Sequence, residues 1–528
     1  MVDVTKIDSN ISGLRVAAED TYGVLPGTPI WYGLEPNSYS DFGGNITTVA
    51  RETINDSRSR QQGVTTDVEA SGGFEADLTQ TSLAELLEGL FYAPYDKKAE
   101  RFNNHTADSV ITDVALTGST YTVTTGTAFA VGDLVWASGF TNSANNGLKI
   151  ADTGSGALAL VTEEACVNET APPALAKLVA VGFEFPQGDA SIVVTGDLPT
   201  LVSAGGKNMT EFGIQPGEFV FIGGDTTADK FFGPAGATSE VNNGWCRVRS
   251  VTATVMTFDK TAATMVADDG TDTNAGGTGL EIRIFFGRSV SNKVGSSIVR
   301  KTYQLERTLG SNDGIAADQS EYITGAILNE FTMNLPTADK VTTEMTFVGK
   351  DVEQRSGATG VKSGTRPTLI SSEAFNASSD VTRFRLSAIS TTDAFPTATF
   401  AYVMEGTLSI NNNNNRNLAI GVLGAFDSSA GTFEVSAEIT AYFQNISALA
   451  IVRNNTDVSL DIITVKQNAG MSIDLPLLTL AGGLAQVELN EPIKLPLTSD
   501  AAQATPVDAT YTHTIRIGVY DYLPDAAE

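Results

Sequence analysis

The chain of 528 residues is long enough for three to four domains, and its apolar fraction of 41% allows it to bury hydrophobic cores. Sixty-two Asp and Glu against 33 Lys and Arg give a net charge of −29, which excludes the basic footprint that nucleic-acid recognition requires. Two cysteines and two histidines exclude a disulfide framework and argue against a structural zinc site. Because the sequence has neither a signal region nor an apolar run of about 18 residues, it predicts a soluble cytoplasmic product without a membrane span.

The first distinctive stretch is AAEDTYGVLPGTP, residues 17–29, in which a strand-like start runs into a Gly/Pro turn. The aromatic residues Trp31 and Tyr32 follow at once. Because chain termini are usually loosely held, two large aromatic side chains beside so stiff a turn indicate a segment that grips another surface. The sequence leaves open whether that surface belongs to the same chain or to another copy.

One amphipathic helix is predicted near the end of the first hundred residues. Its apolar residues follow the i, i+3, i+4, i+7, i+8 spacing of a single buried face: Leu83, Leu86, Leu87, Leu90 and Phe91. Ser82 and Glu85 form a capping-box pattern ahead of this face, and Pro94 marks its end.

Residues 104–287 differ from their surroundings, because helix signals are absent and Gly, Thr, Ala and Asp dominate. The region divides into two similar pieces, 104–186 and 187–287. Each contains Gly, an acidic residue and an apolar strand (GDLVW and GEFVF), then an Asn-Asn-Gly turn and further strands. We therefore predict two small all-β modules in tandem, inserted into a larger domain.

Strands with strict alternation return after residue 287. Four segments oppose apolar to polar side chains with a period of two, as half-buried antiparallel strands do: ILNEFTMNL (327–335), VTTEMTFVG (341–349), VMEGTLSIN (403–411) and TFEVSAEITAYF (432–443). Their polar faces combine Thr, Ser and Asn with five acidic residues and no Lys or Arg: Glu330, Glu344, Glu405, Glu434 and Glu438. This face is either an ordinary solvated sheet surface or a surface with a function.

A larger duplication is also indicated. TTDVEASGGFEADLTQTSLAELLEGLF (65–91) and AGTFEVSAEITAYFQNISALAIVRNN (430–455) both run from a strand into a helix, and each is followed by a hairpin-like stretch. The second helix is predicted to have an apolar face of Ile446, Leu449 and Ala450. Two such copies predict one half built from residues 1–103 and 288–364 and another from residues 365–528.

No stretch carries the pattern of a catalytic, cofactor or metal site, so the chain is not expected to be an enzyme and no cofactor is predicted. His105 and His513 lie in no nucleophile motif. DDGTDTN (268–274) offers oxygen ligands but lacks the spacing of a calcium loop, which favours a solvated turn.

Two segments carry a resemblance to a known family. SGLRVAAEDTYGVLPGTPIWYGL, from residue 12, and GTLSINNNNNRNLAIGVLGAFDSSAGTFEVSAEITAYF (406–443) are similar to the tail tube proteins of long-tailed, non-contractile bacteriophages (siphoviruses), and FVGKD (347–351) fits as well. The resemblance covers most of residues 12–91 and 302–465, whereas 104–287 lies outside it.

This resemblance implies a β-sandwich with a flanking helix that assembles into stacked rings around a lumen. Strands of all subunits would close one barrel, through which the genome passes into the host. The five glutamates named above then become lumen-facing candidates, because an acidic wall repels phosphate groups and lets DNA pass without specific binding. An arm between rings would contain Tyr22, Pro26, Pro29, Trp31 and Tyr32, with the alternative that it folds onto its own chain.

The resemblance also implies the partners. A duplicated chain would form a ring of three copies with pseudo-six-fold symmetry, whereas a chain with a single fold would form a ring of six. Tape measure, tail terminator and distal tail proteins would be further partners, and assembly would take place in the cytoplasm of the host. The alternatives from other classes are a tail fibre or tailspike that binds the host and a capsid decoration protein.

Overall fold

The computed structural model is mainly β, as predicted, with 51% of residues in strands and 7% in helices, and the strands that it describes close no barrel. The structure describes residues 12–54, 56, 60–79, 83–96, 100–103, 111–124, 129–224, 232–233, 238–271, 281–310, 319–369, 373–400, 402–444 and 446–528. His105, Ser82 and residues 272–274 of the DDGTDTN stretch lie outside this part. Among the described residues, no helix has both the length and the apolar character that crossing a membrane requires.

The elements fall into three groups along the chain. The first group comprises β1 (Gly13–Ala18), β2 (Tyr32–Leu34), β3 (Pro36–Arg51), β4 (Gln61–Asp77) and α1 (Leu87–Phe91). The second comprises β5 (Glu100–Asn103), β6 (Ile111–Ala115), β7 (Thr120–Val123), β8 (Asp133–Ser138), β9 (Gly147–Ile150), β10 (Ala159–Val161), β11 (Glu169–Thr170), β12 (Lys177–Pro186), β13 (Ala190–Val193), β14 (Thr200–Ser203), β15 (Phe219–Ile222), β16 (Gly244–Val251), β17 (Val255–Lys260) and β18 (Glu281–Phe286). The third comprises β19 (Arg288–Ser291), β20 (Tyr303–Gly310), β21 (Gln319–Leu335), β22 (Thr342–Val348), β23 (Asp351–Ser356), β24 (Val381–Ala388), β25 (Val403–Asn411), β26 (Asn415–Asn417), β27 (Asp427–Ser429), β28 (Glu434–Tyr442), α2 (Ile446–Arg453), β29 (Val458–Lys466), β30 (Ala469–Gly482), β31 (Lys494–Ala501) and β32 (Arg516–Tyr520).

The first and third groups, apart from β26 and β27, which pair only with each other, share one 16-stranded antiparallel sheet that folds into two layers. The long strands β21 and β30 pass through both layers, because each changes its pairing partners half-way along. One layer is a continuous run of eight strands in the order β3-β4-β22-β21-β25-β28-β31-β30, and we call it the eight-stranded sheet. Forty-eight buried apolar residues, from Leu14 to Val519, form the core of these two groups.

The two halves of this sandwich repeat the same pairing pattern. Strands pair in the order β1-β20-β21-β22-β4-β3 in the first half and β24-β29-β30-β31-β28-β25 in the second. The irregularities repeat as well: the register shifts between Pro36 and Ser38 in β3 and between Val403 and Glu405 in β25. A helix follows β4 in the first half and β28 in the second. The fold of residues 1–103 and 288–364 thus has the topology of that of residues 365–528, although the division into domains stays a prediction.

Both predicted helices are present, but each differs from its expectation. The first is shorter, because it begins at Leu87 and residues 83–86 form a turn ahead of it. All five of its predicted apolar residues are nevertheless buried. In α2 the predicted apolar face is wrong: Ile446 is 75% exposed, whereas Ala448 is buried. Compared with the predicted orientation, the helix is rotated about its axis, so that Ala448, Leu449 and Val452 face the core.

The second group forms its own sheets, and its two pieces have the same strand order. Strands β13-β14-β17-β16-β15-β18 are neighbours in the second piece. The first piece has β6-β7-β10 and β9-β8-β12, joined by a bridge between Ala151 and Thr162. The last strands of the pieces, β12 and β18, pair with each other and make the ten-stranded sheet continuous. The ten-stranded sheet therefore contains strands of both pieces, whereas β6, β7, β10 and β11 of the first piece form a separate four-stranded sheet.

The two Asn-Asn-Gly turns have the same structural role in the two repeats. The side-chain oxygen of Asn145 accepts a hydrogen bond from the N–H of Val167 at 2.8 Å, and its side-chain nitrogen donates to the carbonyl of Val167 at 2.9 Å. Asn242 does the same with Val266, at 2.9 and 3.0 Å. Because both Asn side chains are fully buried, these bonds satisfy amide groups that would otherwise be costly to bury.

The inserted region packs firmly on the second half of the sandwich. Apolar residues of its sheet, among them Trp245 and Phe285, form one buried cluster with Ile463, Val465 and Tyr520. The indole Nε1 of Trp245 donates a hydrogen bond of 3.1 Å to the carbonyl of Ala527. A buried contact of this kind predicts that the insert and the sandwich unfold together.

Buried ion pairs cross the same contact. Arg247 of β16 binds Asp259 at 2.9 Å and Asp474 of β30 at 2.8 Å. Lys260 of β17 and Arg383 of β24 both bind Asp461 of β29. Burial alone would raise the pKa of the Asp461 carboxyl, but these two cations outweigh burial and lower that pKa.

Candidate functional site: an acidic sheet face with two open edges

All five glutamates singled out in the sequence lie on one face of the eight-stranded sheet, and all five side chains are exposed. In an antiparallel sheet, residues directly opposite each other point to the same side. The register places Glu330 opposite Thr346 and Asn411, and Glu344 opposite Thr332. The other face of the same strands packs into the sandwich core.

The acidic character of this face extends beyond the predicted residues. Glu75 lies directly opposite Glu344 across β4 and β22, and Asp500 lies opposite Ser436 across β31 and β28. Two like charges opposite each other are unfavourable in a sheet, so folding alone gives no reason for the Glu75–Glu344 pair. In the strand segments of this face, only Arg51 and Lys494 are basic, and both stand at strand ends.

The sheet has a joint between its two halves. Residues Glu330–Leu335 of β21 pair with Gly406–Asn411 of β25, so the first half is joined to the second along these two strands. The side chain of Asn412 donates hydrogen bonds to the carbonyls of Leu90 at 2.9 Å and Leu328 at 3.1 Å. The hydroxyl of Tyr92 donates to Asn414 at 2.6 Å. The run of five Asn residues at 411–415 thus joins α1 and β21 of the first half to the second half, a role that the sequence did not predict.

The same sheet has two open edges. Strand β3 pairs with β4 on one side only, and the end of β30, from Thr479 to Gly482, pairs with β31 on one side only. Within the described part of the chain, no strand covers the other side of either segment. Exposed backbone donors and acceptors at a sheet edge are a template for pairing with another strand.

Comparison with known families identifies this architecture. A family model described as phage tail tube protein matches residues 9–507. This chain belongs to the phage tail tube protein family. No curated protein matches the chain.

Membership of the family makes the chain a structural tail tube protein of the virion tail, in a family whose members are not enzymes. The family also implies self-assembly into a tube together with other tail proteins. The acidic face and the open edges of this tail tube protein are therefore features of a building block, and neither needs a catalytic explanation.

The predicted arm of the tail tube protein lies on its own chain. Trp31 is fully buried against Tyr322, with ring centroids 5.8 Å apart, and its Nε1 donates to the carbonyl of Ser363 at 3.1 Å. Pro29 is buried beside it, and Tyr32 packs against the sandwich core. The Nζ atom of Lys350 lies 5.1 Å from the ring centroid of Tyr22. Burial raises the pKa of the Tyr22 hydroxyl to about 12.

The position of Trp31 corresponds to the alternative in which the arm folds onto its own core. The side chain of Trp31 cannot also be the apolar anchor of a contact with a neighbouring ring, because no part of it reaches the surface. Between residues 22 and 32, the exposed side chains are those of Val24 and Thr28, and Pro26 is half-buried. The sequence left both alternatives open because a Gly/Pro turn beside aromatic residues is equally typical of a segment that covers its own sheet.

Glu75 and Asp500 belong to the acidic face and were not predicted. The signal for Glu75 was present in DVEASGGFEAD (67–77), where acidic and apolar residues alternate as in the strands after residue 287. Asp500 lies near the end of a strand that contains Pro496, which weakens the pattern.

Proposed function

We propose that three copies of this chain form one ring of a hollow phage tail tube and that the eight-stranded sheets of the three copies line its lumen. The observation that carries this proposal is the joint between the two halves. Each half uses a different edge at that joint, which makes the contact heterologous, and repeated heterologous contacts generate rings when the rotation closes. A chain with two equivalent halves then occupies two of the six positions in a ring, so that three chains complete the ring.

The number of strands sets the size of the lumen. Three copies contribute 24 strands, which at a spacing of about 4.8 Å and a tilt of about 40° close a barrel roughly 50 Å across between backbones. Six copies would give 48 strands and a barrel of about 100 Å by the same arithmetic. The two stoichiometries therefore differ twofold in diameter.

The acidic face is proposed to line the lumen. Carboxylates that face passing DNA repel its phosphates, whereas Lys or Arg would bind them and release counterions. This role also accounts for the Glu75–Glu344 pair, in which two like charges lie directly opposite each other. The inserted region would lie on the outside of the tube, because it packs on the layer opposite the acidic face.

Electron microscopy of the purified protein tests the proposal. Hollow tubes whose top views show three copies per ring, six similar lobes and a barrel of about 50 Å between backbones are expected. Absence of tubes under conditions that keep the chain folded would contradict it, and six copies per ring would contradict the stoichiometry. Tape measure, tail terminator and distal tail proteins would close and fill the tube in the host cytoplasm.

A further inference from the structure

The two open edges of the eight-stranded sheet are the equivalents of the two edges that the chain already joins internally. The pairing patterns of the two halves superimpose strand by strand, so β3 corresponds to β25 and β30 corresponds to β21. Inside the chain, the β21 edge pairs with the β25 edge. Outside it, a β30 edge and a β3 edge remain.

The internal register can be carried over residue by residue. Glu330 pairs with Thr346 in β22, and Ala481 pairs with the equivalent residue Thr498 in β31. Ala481 therefore corresponds to Glu330.

The opposite side of the joint is aligned in the same way. Asn411 pairs with Glu434 in β28, and Asn45 pairs with the equivalent residue Glu69 in β4. Asn45 therefore corresponds to Asn411, the residue that faces Glu330 across the internal joint.

The geometry points to a defined contact between copies, in which residues 39–45 of one copy pair antiparallel with residues 481–486 of the next and Asn45 lies opposite Ala481. This inference rests on the proposed ring and adds the strands and the register through which it closes. A second copy of this chain is the only partner it requires, because the two edges belong to opposite ends of the same chain.

The contact between copies differs from the internal joint in its side chains. The internal joint has Phe331 opposite Ile410 and Thr332 opposite Ser409. The equivalent positions between copies carry Gly482 and Gly483 on one strand and Gly43 and Gly44 on the other. Cross-strand side-chain pairs supply much of the stability of a sheet, so this contact is weaker per residue than the internal joint.

The backbone of both edges is irregular before assembly. Gly482 and Gly483 have φ of 83° and 82°, and Asp41 has φ of 47° in the region where β3 shifts register. Bulged edges resist indiscriminate pairing with other strands. The edges are thus suited to a chain that stays unassembled until a correctly oriented copy arrives.

A disulfide across the contact tests the register. The variant combines Asn45→Cys and Ala481→Cys, both at exposed positions, while the native Cys166 and Cys246 are buried and do not compete. Oxidised tubes of this variant should convert mainly to covalent trimers on a non-reducing denaturing gel. The matched control, Asn45→Cys with the exposed Thr479→Cys, lies two residues out of register and should stay largely monomeric, because Cα atoms more than about 7 Å apart cannot be bridged.

The outcomes separate the register from the proposed function. Tubes without cross-links, or with equal cross-linking in the control, overturn the register and leave the tube intact. A ladder that ends at six chains supports the edge pairing and overturns the three-copy ring. Failure of both variants and of the unmodified chain to form tubes overturns the proposed function itself.

Discussion

At the scale of single residues, each half of the sandwich buries one carboxylate at the same topological position but neutralises it differently. Glu306 of β20 lies opposite Tyr322 of β21, and Asp461 of β29 lies opposite Asp474 of β30. Glu306 binds Arg366 at 2.6 Å, a residue just beyond the boundary at residue 364, whereas Asp461 binds Lys260 of the inserted region and Arg383. The insert therefore supplies one of the two cations that neutralise Asp461.

Replacing Asp461 with Asn should destabilise the chain at neutral pH. The substitution leaves the Lys260 and Arg383 cations without their carboxylate partner, which costs about 3–5 kcal/mol for a broken buried pair. Because the pKa of Asp461 is lowered on folding, its contribution is present above the unfolded value of about 3.9 and is lost as the pH falls through the folded value.

Denaturant unfolding of both chains between pH 7 and pH 3 checks this prediction. The difference in the free energy of unfolding between the two chains should be largest at pH 7 and should shrink below about pH 4. A difference that does not change with pH would contradict the ionic explanation.

Replacing Trp31 with Ala should destabilise the unassembled chain. The side chain is fully buried against Tyr322, so its removal leaves a cavity, and such changes cost about 3–5 kcal/mol. Thermal unfolding of the monomer measures the effect, with the 55% exposed Val24→Ala as the control that should change little. A Trp31→Ala monomer of normal stability that fails only to polymerise would instead favour a contact with another ring.

At the scale of elements, the strands of the acidic face show how a local pattern becomes a surface. The alternation in β21, β22, β25 and β28 predicted which residues share a face, because a period of two follows from strand geometry alone. The predicted helices were less accurate: α1 begins later and α2 is rotated. Helix faces depend on which core is available, and that is set by packing with distant strands.

A charge reversal on the acidic face should slow DNA passage. Glu438→Lys places a cation between Thr407 and Thr498 on neighbouring strands, in every copy along the tube. Because Lys attracts phosphates, we expect DNA ejection from phage particles to slow several-fold and to recover at high salt. The control Asp197→Lys makes the same charge change at an exposed site in the insert. Unchanged ejection from intact tails would contradict a lumen role for this face.

Removing the insert should make the chain insoluble. Deletion of residues 104–287 uncovers an apolar surface that includes Ile463, Val465 and Tyr520 and leaves Asp461 without Lys260. Exposed apolar patches of this kind promote aggregation.

The yield of soluble protein after expression measures the effect. Adding Ile463→Thr and Val465→Thr to the deletion should partly restore solubility if the uncovered surface is the cause. A deleted chain that is soluble and assembles normally would instead make the insert an independent decoration.

At the scale of the whole molecule, the two halves of the sandwich repeat one pairing pattern, and two sheet edges stay open in the part of the chain that the structure describes. The duplication was visible in the sequence as two strand-to-helix segments, 65–91 and 430–455, each followed by a hairpin-like stretch. The pairing of strands extends it to the whole sandwich, including repeated bulges at Pro36–Ser38 and Val403–Glu405. Under the proposed ring, such a unit would assemble by repeating a contact that it already contains.

The sequence by itself determined the local properties of this protein: a mainly β fold, and one apolar and one acidic face on its long strands. These follow from the alternation of side chains and from turn residues, which act over a few positions. Only the tertiary structure decided that Trp31 is buried in its own chain, that the insert neutralises Asp461, and which two sheet edges remain open. Each of these depends on residues hundreds of positions apart, because burial and edge pairing are properties of the packed chain and leave no periodic trace in the sequence.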